Sequence, residues 1–250
     1  MGAGSLVVGV IPARYGSVRL AGKPLAVIAG KPMIQHVWEG AKKAKRLSRL
    51  LVATDDERVV QAVKGFGGEA VMTDPALPSG TDRVWAASKG TDAQFILNIQ
   101  GDEPLLDPAM VDDLVAAIIG DPAAQMATLR FPMRGTDGYI QRSVVKVVSD
   151  EKGWALYFSR SPIPACKGEH QIPSVWYKHL GFYAYRRQVL ERFVGWPPSF
   201  LETTEGLEQL RALEHGVRIK VVDSPKDTVA VDTPDDAQRV ERIMKGSLRS

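Results

Sequence analysis

Cysteine is almost absent from this chain of 250 residues, with Cys166 as the single example. One thiol cannot form a disulfide within the chain, so the fold must depend on its hydrophobic core. Long apolar runs are also missing, since no stretch approaches the roughly 20 apolar residues that span a bilayer. Residues 1–5 lack the basic and apolar regions of a signal peptide, so we expect a cytoplasmic protein with no membrane partner.

A large excess of charge of one sign is missing as well, because the formal net charge is only +3 at pH 7. The basic run at 42–46 suits the solvated face of a helix, so we expect an anionic small molecule rather than a nucleic acid as the ligand. Two nucleotide-binding fingerprints are absent, namely G-x-G-x-x-G after the first strand and G-K-[ST]. Both an NAD-dependent dehydrogenase and a P-loop kinase are therefore disfavoured.

Apolar strand patterns and helical patterns alternate along the first half of the chain. In chain order they lie at 6–11, 33–41, 50–53, 56–64, 70–72, 81–87, 95–99 and 108–119. The strand patterns are continuous rather than alternating, which is typical of a parallel sheet with helices on both faces. We therefore predict an α/β fold built on a Rossmann-like, mostly parallel sheet.

The pattern changes beyond about residue 127. Strand patterns at 144–148 and 180–185 flank a proline-rich stretch, which indicates an inserted, partly antiparallel subdomain at approximately 127–200 within one domain of residues 1–250. A helix at 204–215, a strand at 218–222 and a closing helix at 234–244 are predicted to follow.

A loop with two glycines and three cations follows the first strand. Arg14, Arg19 and Lys23 lie beyond the carboxyl end of that strand, where ligands bind open α/β sheets. The glycines, Gly16 and Gly22, allow tight turns, and the cations can neutralise a triphosphate. The alternative is an ordinary basic surface loop.

This loop, taken with Gly30 to Ile34 after it, resembles the signature of the sugar nucleotidyltransferases. Together with five further segments it resembles the CMP-Kdo synthetase (3-deoxy-manno-octulosonate cytidylyltransferase) family over nearly the whole chain. Those segments are ATDD at 53–56, PSGTDR at 78–83, NIQGDEP at 98–104, YFSRSPIP at 157–164 and VDTP at 231–234. The resemblance implies the nucleotide-diphospho-sugar transferase type of fold. It also implies that CTP and the sugar acid Kdo react with the help of Mg²⁺ in a homodimer that serves lipopolysaccharide biosynthesis.

The resemblance assigns residues to the nucleotide. For CTP binding these are Arg14, Ser17, Arg19, Lys23, Pro78, Ser79, Gly80 and Arg83, and the catalytic group is Lys23, Arg14, Asp102 and Asp232. Read without the resemblance, Ser79 or Thr81 would simply cap the helix that follows.

The resemblance also makes Asp102 and Asp232 the metal ligands. Both follow apolar strands, so convergence would let them bind Mg²⁺, which prefers oxygen ligands. Considered alone, each aspartate is typical of a turn or a helix cap.

For the sugar acid, the resemblance assigns Gln100, Arg160, His179, Tyr183, Glu208 and Gln209. Arg160 can grip a carboxylate with two parallel N–H bonds. His179 and Tyr183 are four residues apart and would share one face of a strand. Outside the family, His179 would be an ordinary histidine and Glu208 with Gln209 an exposed helical pair.

Two departures from the family pattern stand beside the sugar residues. Residues 141–143 read Gln-Arg-Ser where the family often has Asn-Pro-Asn, and Gly206 replaces a usual serine. Glycine at 206 is expected to weaken the predicted helix, by about 1 kcal/mol relative to alanine. A CMP-sialic acid synthetase, an enzyme for the 8-amino analogue of Kdo and a nucleotide-binding module without turnover remain as alternatives.

Overall fold

The structure, a computed structural model, describes residues 6–16, 20–168 and 171–246. Strands and helices alternate over the first half, as the apolar patterns predict. These elements are β1 (Val7–Pro12), β2 (Val27–Ile28), β3 (Lys31–Pro32), α1 (Met33–Lys42), β4 (Arg49–Thr54), α2 (Glu57–Gly65), β5 (Glu69–Met72), α3 (Gly80–Ser88), β6 (Phe95–Asn98) and α4 (Pro108–Gly120). The second half contains β7 (Met126–Met133), β8 (Lys146–Ser149), β9 (Ala155–Ser159), β10 (Trp176–Arg186), α5 (Arg187–Gly195), α6 (Phe200–Glu205), α7 (Gln209–Glu214), β11 (Ile219–Asp223) and α8 (Pro234–Met244).

The described residues divide into two units, of which unit 1 holds those up to Val115 and those from Asp227 onward. Its main sheet has the strand order β6–β1–β4–β5, and all three pairings are parallel. Helices α1, α2 and α3 pack against these strands. Val8 and Val10 of the central strand β1 are fully buried. The predicted α/β class is confirmed.

Polar side chains mark the starts of three helices in unit 1, namely α2, α3 and α8. Asp56 accepts the N–H of Arg58 at the start of α2, and Ser79 accepts two N–H groups at the start of α3. Thr233 and Asp236 form a reciprocal capping box at the start of α8. Such caps satisfy N–H groups that have no partner within the helix, so they fix where each helix begins after its strand.

Unit 2 spans Ala116–Lys226, whereas the sequence patterns placed the insertion at approximately 127–200. Strand β10 pairs antiparallel with β7 and β8, β9 pairs antiparallel with β8, and β11 pairs parallel with β7. Its core includes the buried aromatic side chains Phe158, Trp176, Phe182 and Phe193. No helix among the residues that the structure describes is long and apolar enough to cross a membrane.

The predicted helix at 204–215 is wrong, because two short helices occupy this stretch. Gly206 ends α6 with φ 64°, a left-handed conformation that glycine adopts without a steric penalty. Helix α7 then starts at Gln209. The departure at Gly206 therefore provides the break between the helices and does not weaken one continuous helix.

Candidate active site

A cavity of about 410 Å³ lies in unit 1, at the carboxyl ends of β1 and β6 and the start of α3. Nine residues assigned from the resemblance line it: Arg14, Lys23, Pro78, Ser79, Gly80, Arg83, Gln100, Asp102 and Asp232. Its other lining residues, to which the sequence analysis assigned no role, are Pro12, Ala13, Pro24, Met33, Leu77 and Gly101. Ser17 and Arg19 lie outside the described residues. The volume is in the usual range for small-molecule sites.

Lys23 links two carboxylates in this cavity. Its Nζ lies 2.7 Å from Oδ2 of Asp102 and 2.8 Å from Oδ1 of Asp232. Burial by itself would lower the pKa of Lys23, but the charges and hydrogen bonds of the two aspartates outweigh burial and raise that pKa above its ordinary value. The lysine therefore stays cationic, and the cluster carries two negative charges against one positive charge.

Backbone pairing explains why the two aspartates meet. The N–H of Val231 donates to the carbonyl of Asp102 at 2.9 Å, which joins the segment before α8 to the segment after β6. Val231 is fully buried in a cluster with Ile28, Met33 and Val240. This apolar anchor holds Asp232, the next residue, at the cavity.

The carboxylates of Asp102 and Asp232 suit a hard cation. One oxygen of each already lies within hydrogen-bond distance of a single cationic nitrogen, that of Lys23. Across the residues that the structure describes, no group of three or more His, Cys, Asp or Glu side chains could enclose a metal. Two carboxylates still fit Mg²⁺, which is usually bound by one or two carboxylates together with substrate phosphates.

The segment 78–83 both caps helix α3 and lines the cavity. Oγ of Ser79 accepts the N–H groups of Thr81 and Asp82 at 3.1 and 3.2 Å, and donates to the Asp82 carboxylate at 2.7 Å. The capping interpretation of Ser79 is therefore correct, although Ser79 also lines the cavity. A Cβ built on Gly80 would meet only ordinary contacts with Pro12, the nearest at 3.7 Å, so packing within the protein does not demand glycine there.

Arg160, in unit 2, has a guanidinium group held by backbone carbonyls. Its Nε, Nη1 and Nη2 donate to the carbonyls of Glu205, Arg142 and Gly206 at 2.8, 3.1 and 3.2 Å. The Glu205 carboxylate in turn accepts the Arg160 N–H and the hydroxyl of Ser159. These three bonds leave a guanidinium, which has five N–H groups, with the capacity to bind an anion.

His179 is buried, and its hydrogen bonds define which nitrogen carries the proton. The hydroxyl of Thr128 lies 2.8 Å from the carbonyl of Phe182 and 2.9 Å from Nε2 of His179. A hydroxyl has one proton and a carbonyl can only accept, so Thr128 donates to Phe182 and accepts from Nε2. Burial lowers the pKa of His179 to about 3, so the ring is neutral and its Nδ1 is an acceptor.

Tyr183 lies close to this histidine, and the charge of Glu208 acts on Tyr183. The rings of His179 and Tyr183 have centroids 5.6 Å apart, although the register of β10 shifts between Leu180 and Tyr183. Burial, with a smaller contribution from the charge of Glu208, raises the pKa of Tyr183 well above its ordinary value. Gln209, at the start of α7, is also buried. Tyr183 therefore stays a neutral hydroxyl at neutral pH.

Sequence patterns missed several side chains that support these residues. Lys146 is fully buried and donates to the carbonyls of Gln141, Val144 and Arg160 at 3.0, 2.6 and 2.6 Å. A lysine inside the apolar run 144–148 was a signal that could have been used, since a buried cation needs several partners. The role of Glu205 had no comparable signal, because its partners are 45 and 46 positions away.

Comparisons with known proteins show the family of this chain. Residues 8–219 match the model of a family described as cytidylyltransferase. A 3-deoxy-manno-octulosonate cytidylyltransferase of Desulfatibacillum aliphaticivorans is 49% identical over 243 residues, which cover 96% of this chain and 98% of the relative. Another, of Trichlorobacter lovleyi, is 45% identical over 248 residues, which cover 96% of this chain and 98% of that relative. A solved structure of CMP:2-keto-3-deoxy-manno-octonic acid synthetase complexed with CTP is similar at TM-score 0.92 and 44% identity, over 98% of this chain and 100% of that chain.

Proposed function

The chain belongs to the cytidylyltransferase family, and we propose that it transfers CMP from CTP to Kdo (3-deoxy-D-manno-octulosonate), with release of pyrophosphate. The product, CMP-Kdo, would be the activated sugar for lipopolysaccharide biosynthesis. The observation that carries the proposal is the meeting of Lys23, Asp102 and Asp232 in a cavity beside Ser79 and Gly80. Relatives at 45–49% identity that carry the name of this activity support Kdo as the sugar.

The reaction is an in-line displacement at the α-phosphate of CTP. An O–P bond forms to the sugar hydroxyl as the bond to the β-phosphate breaks, so catalysis depends on positioning and on charge neutralisation. Arg14 and Lys23 line the cavity and would bind the phosphates, and Ser17 and Arg19 belong to the same loop of the sequence. Gly80 lines the cavity, and a residue without a side chain suits close approach of the cytidine there.

Mg²⁺ is the cofactor that we include in this proposal. Asp102 and Asp232 are the residues that would hold it, because their oxygens converge on one cation. A bound Mg²⁺ supplies positive charge beside the phosphates and lowers the pKa of the attacking hydroxyl. Lys23 keeps the two carboxylates together and contributes its own charge.

For recognition of the sugar acid we propose the residues that the family resemblance assigns, which are Gln100, Arg160, His179, Tyr183, Glu208 and Gln209. Arg160 supplies a fixed cation for the carboxylate, since backbone carbonyls already orient its guanidinium. The neutral Nδ1 of His179 can accept a hydrogen bond from a sugar hydroxyl. His179 and Tyr183, both neutral at neutral pH, would thus be uncharged partners for hydroxyl groups of the substrate.

A homodimer in the cytoplasm, where CTP is made, completes the proposal. Among its described residues, unit 2 exposes four large apolar side chains, with Ile119, Ile140, Leu156 and Phe200 exposed to 40%, 68%, 62% and 75%. Exposed apolar side chains can be buried in a protein interface, and we propose that dimerisation uses this unit.

Pyrophosphate release measured with a panel of sugar acids tests the proposal. We expect release only when CTP, Mg²⁺ and a sugar acid are all present, with the strongest release for Kdo and weaker release for the 8-amino analogue and for sialic acid. No release with any 2-keto-3-deoxy sugar acid would overturn the activity. A preference for sialic acid or the 8-amino analogue would correct the sugar alone, and CTP binding without turnover would indicate a nucleotide-binding module.

A further inference from the structure

Asp55 joins two parts of the nucleotide site without lining the cavity. It follows β4 directly, and its side chain is only 14% exposed. Its Oδ1 accepts the backbone N–H of Tyr15 at 3.0 Å, and its Oδ2 accepts from Nη2 of Arg83 at 3.2 Å. One carboxylate therefore holds the loop after β1 with one oxygen and helix α3 with the other.

The first of these connections reaches the loop after β1 through Tyr15. Tyr15 follows Arg14, and the guanidinium of Arg58 lies 3.7 Å from the centre of its ring. A Cβ built on Gly22 would lie only 2.9 Å from the Tyr15 hydroxyl, so the ring packs directly on this glycine. Gly22 has φ 63° and precedes the 3-10 turn Lys23–Leu25. Tyr15 consequently ties both ends of the loop to the strand end at Asp55.

The second connection reaches the cavity through Arg83 of helix α3. This arginine lines the cavity, yet it is only 2% exposed. Its Nη1 donates to the hydroxyl of Thr73, which itself donates to the carbonyl of Thr54 at 2.9 Å. Asp55 is the one carboxylate that forms an ion pair with Arg83 within the described part of the chain. A buried guanidinium that loses its counter-charge must move toward water or recruit another anion.

We propose that Asp55 is a positioning residue for the nucleotide, which keeps the Arg14–Lys23 loop and the Arg83 guanidinium in the arrangement that binds CTP. This inference rests on the proposed function, since it presumes that CTP is the ligand of the cavity. Asp55 itself does not contact the nucleotide. Its effect on binding passes through Tyr15 on one side and through Arg83 on the other.

Two substitutions separate the two connections. Asp55→Asn keeps an oxygen for the Tyr15 N–H but places a neutral group against Arg83, whereas Asp55→Ala removes both bonds. Because Asp55→Asn weakens a hydrogen bond between charged groups, we expect the Kd for CTP to rise about 10- to 100-fold in this variant, as measured by calorimetry without sugar. The rise should be larger in Asp55→Ala, and the KM for the sugar acid should stay near its wild-type value in both.

Glu69→Gln is the matched control, because Glu69 forms an exposed ion pair with Arg49 across β4 and β5 of the same sheet. It removes a carboxylate–arginine pair away from the cavity and should leave the Kd for CTP unchanged. Melting temperatures of all variants, measured without ligand, show whether the fold is intact. If Asp55→Ala does not fold, Asp55→Asn carries the test.

Three results would overturn the inference. The first is wild-type affinity for CTP in a folded Asp55→Asn protein. The second is a lower melting temperature and a lower kcat with both KM values unchanged, since that pattern reports a smaller folded fraction and a purely structural role. The third is a wild-type protein that does not bind CTP at all, and this result alone also removes the proposed function.

Discussion

The ammonium nitrogen of Lys23 lies 2.7 Å from Oδ2 of Asp102, although the two residues are 79 positions apart in the chain. This pair places a permanent cation beside a carboxylate where the phosphates of CTP are proposed to bind. Lys23→Ala should lower kcat/KM for CTP by about 10²-fold or more, as loss of one preorganised cation at a developing charge commonly does. Lys245→Ala, which removes an exposed lysine paired with Glu241, is the control. Unchanged kcat/KM in Lys23→Ala would show that the lysine does not serve the phosphates.

Asp102→Asn and Asp232→Asn each remove one charge while keeping the shape of the side chain. We expect each to lower kcat by about 10²–10³-fold, with little change in melting temperature because both side chains are partly exposed. The double variant should lose much less than the product of the single losses, since residues that act as one unit are not additive. Chelation of Mg²⁺ should abolish turnover of the wild type, and added Mg²⁺ should restore it.

Asp235→Asn is the control for this pair, because Asp235 is an exposed carboxylate in the first turn of α8 and Asp236 forms the cap. It should behave as wild type. Independent, multiplicative effects of the two aspartates would contradict a shared metal site.

Arg160→Ala tests the assignment of the sugar carboxylate. A charge-assisted contact is worth about 1.5–3 kcal/mol, so we expect the KM for Kdo to rise about 10- to 100-fold. The KM for CTP should change far less. Arg134→Ala, at an exposed arginine of the same unit, should leave both values near wild type. Equal increases in both KM values would place Arg160 outside the sugar site.

His179 makes stability depend on pH. Its pKa is about 3 in the folded protein, against an ordinary value of 6.5, so the unfolded chain binds more protons as the pH falls from 6.5 toward 3. This histidine should therefore lower the free energy of unfolding over that window by up to about 1.4 kcal/mol per pH unit. The stability that it contributes is complete above pH 6.5.

Urea unfolding between pH 8 and pH 4 measures this contribution. His179→Gln removes the titrating ring, so the free energy of unfolding should fall less steeply with decreasing pH than in the wild type. The comparison uses slopes, because the substitution also changes packing against Phe158 and the bond to Thr128. Identical slopes would show that the pKa of His179 is the same in the folded and the unfolded protein, so that His179 is protonated in both at low pH.

Much of the fold could be predicted because apolar periodicity is a local property. The continuous runs at 6–11 and 95–99 became β1 and β6, and the polar caps Asp56 and Ser79 begin helices close to the predicted positions. The helix at 204–215 failed for a local reason as well, since Gly206 in a left-handed conformation ends α6. The family itself was recognisable from short segments in order, and the comparisons confirm that resemblance.

The sequence by itself determined the α/β class, the family and nine of the residues that line the cavity. Only the tertiary structure decided which of them meet. Lys23 reaches Asp232 across 209 positions because Val231 bonds to the carbonyl of Asp102, a contact that no local pattern encodes. The links from Asp55 to Tyr15 and Arg83, and the proton position on His179, likewise depend on atoms brought together by the packing of distant segments. Hydrogen bonds and desolvation act over a few ångströms in space, so they become definite only once the chain has folded.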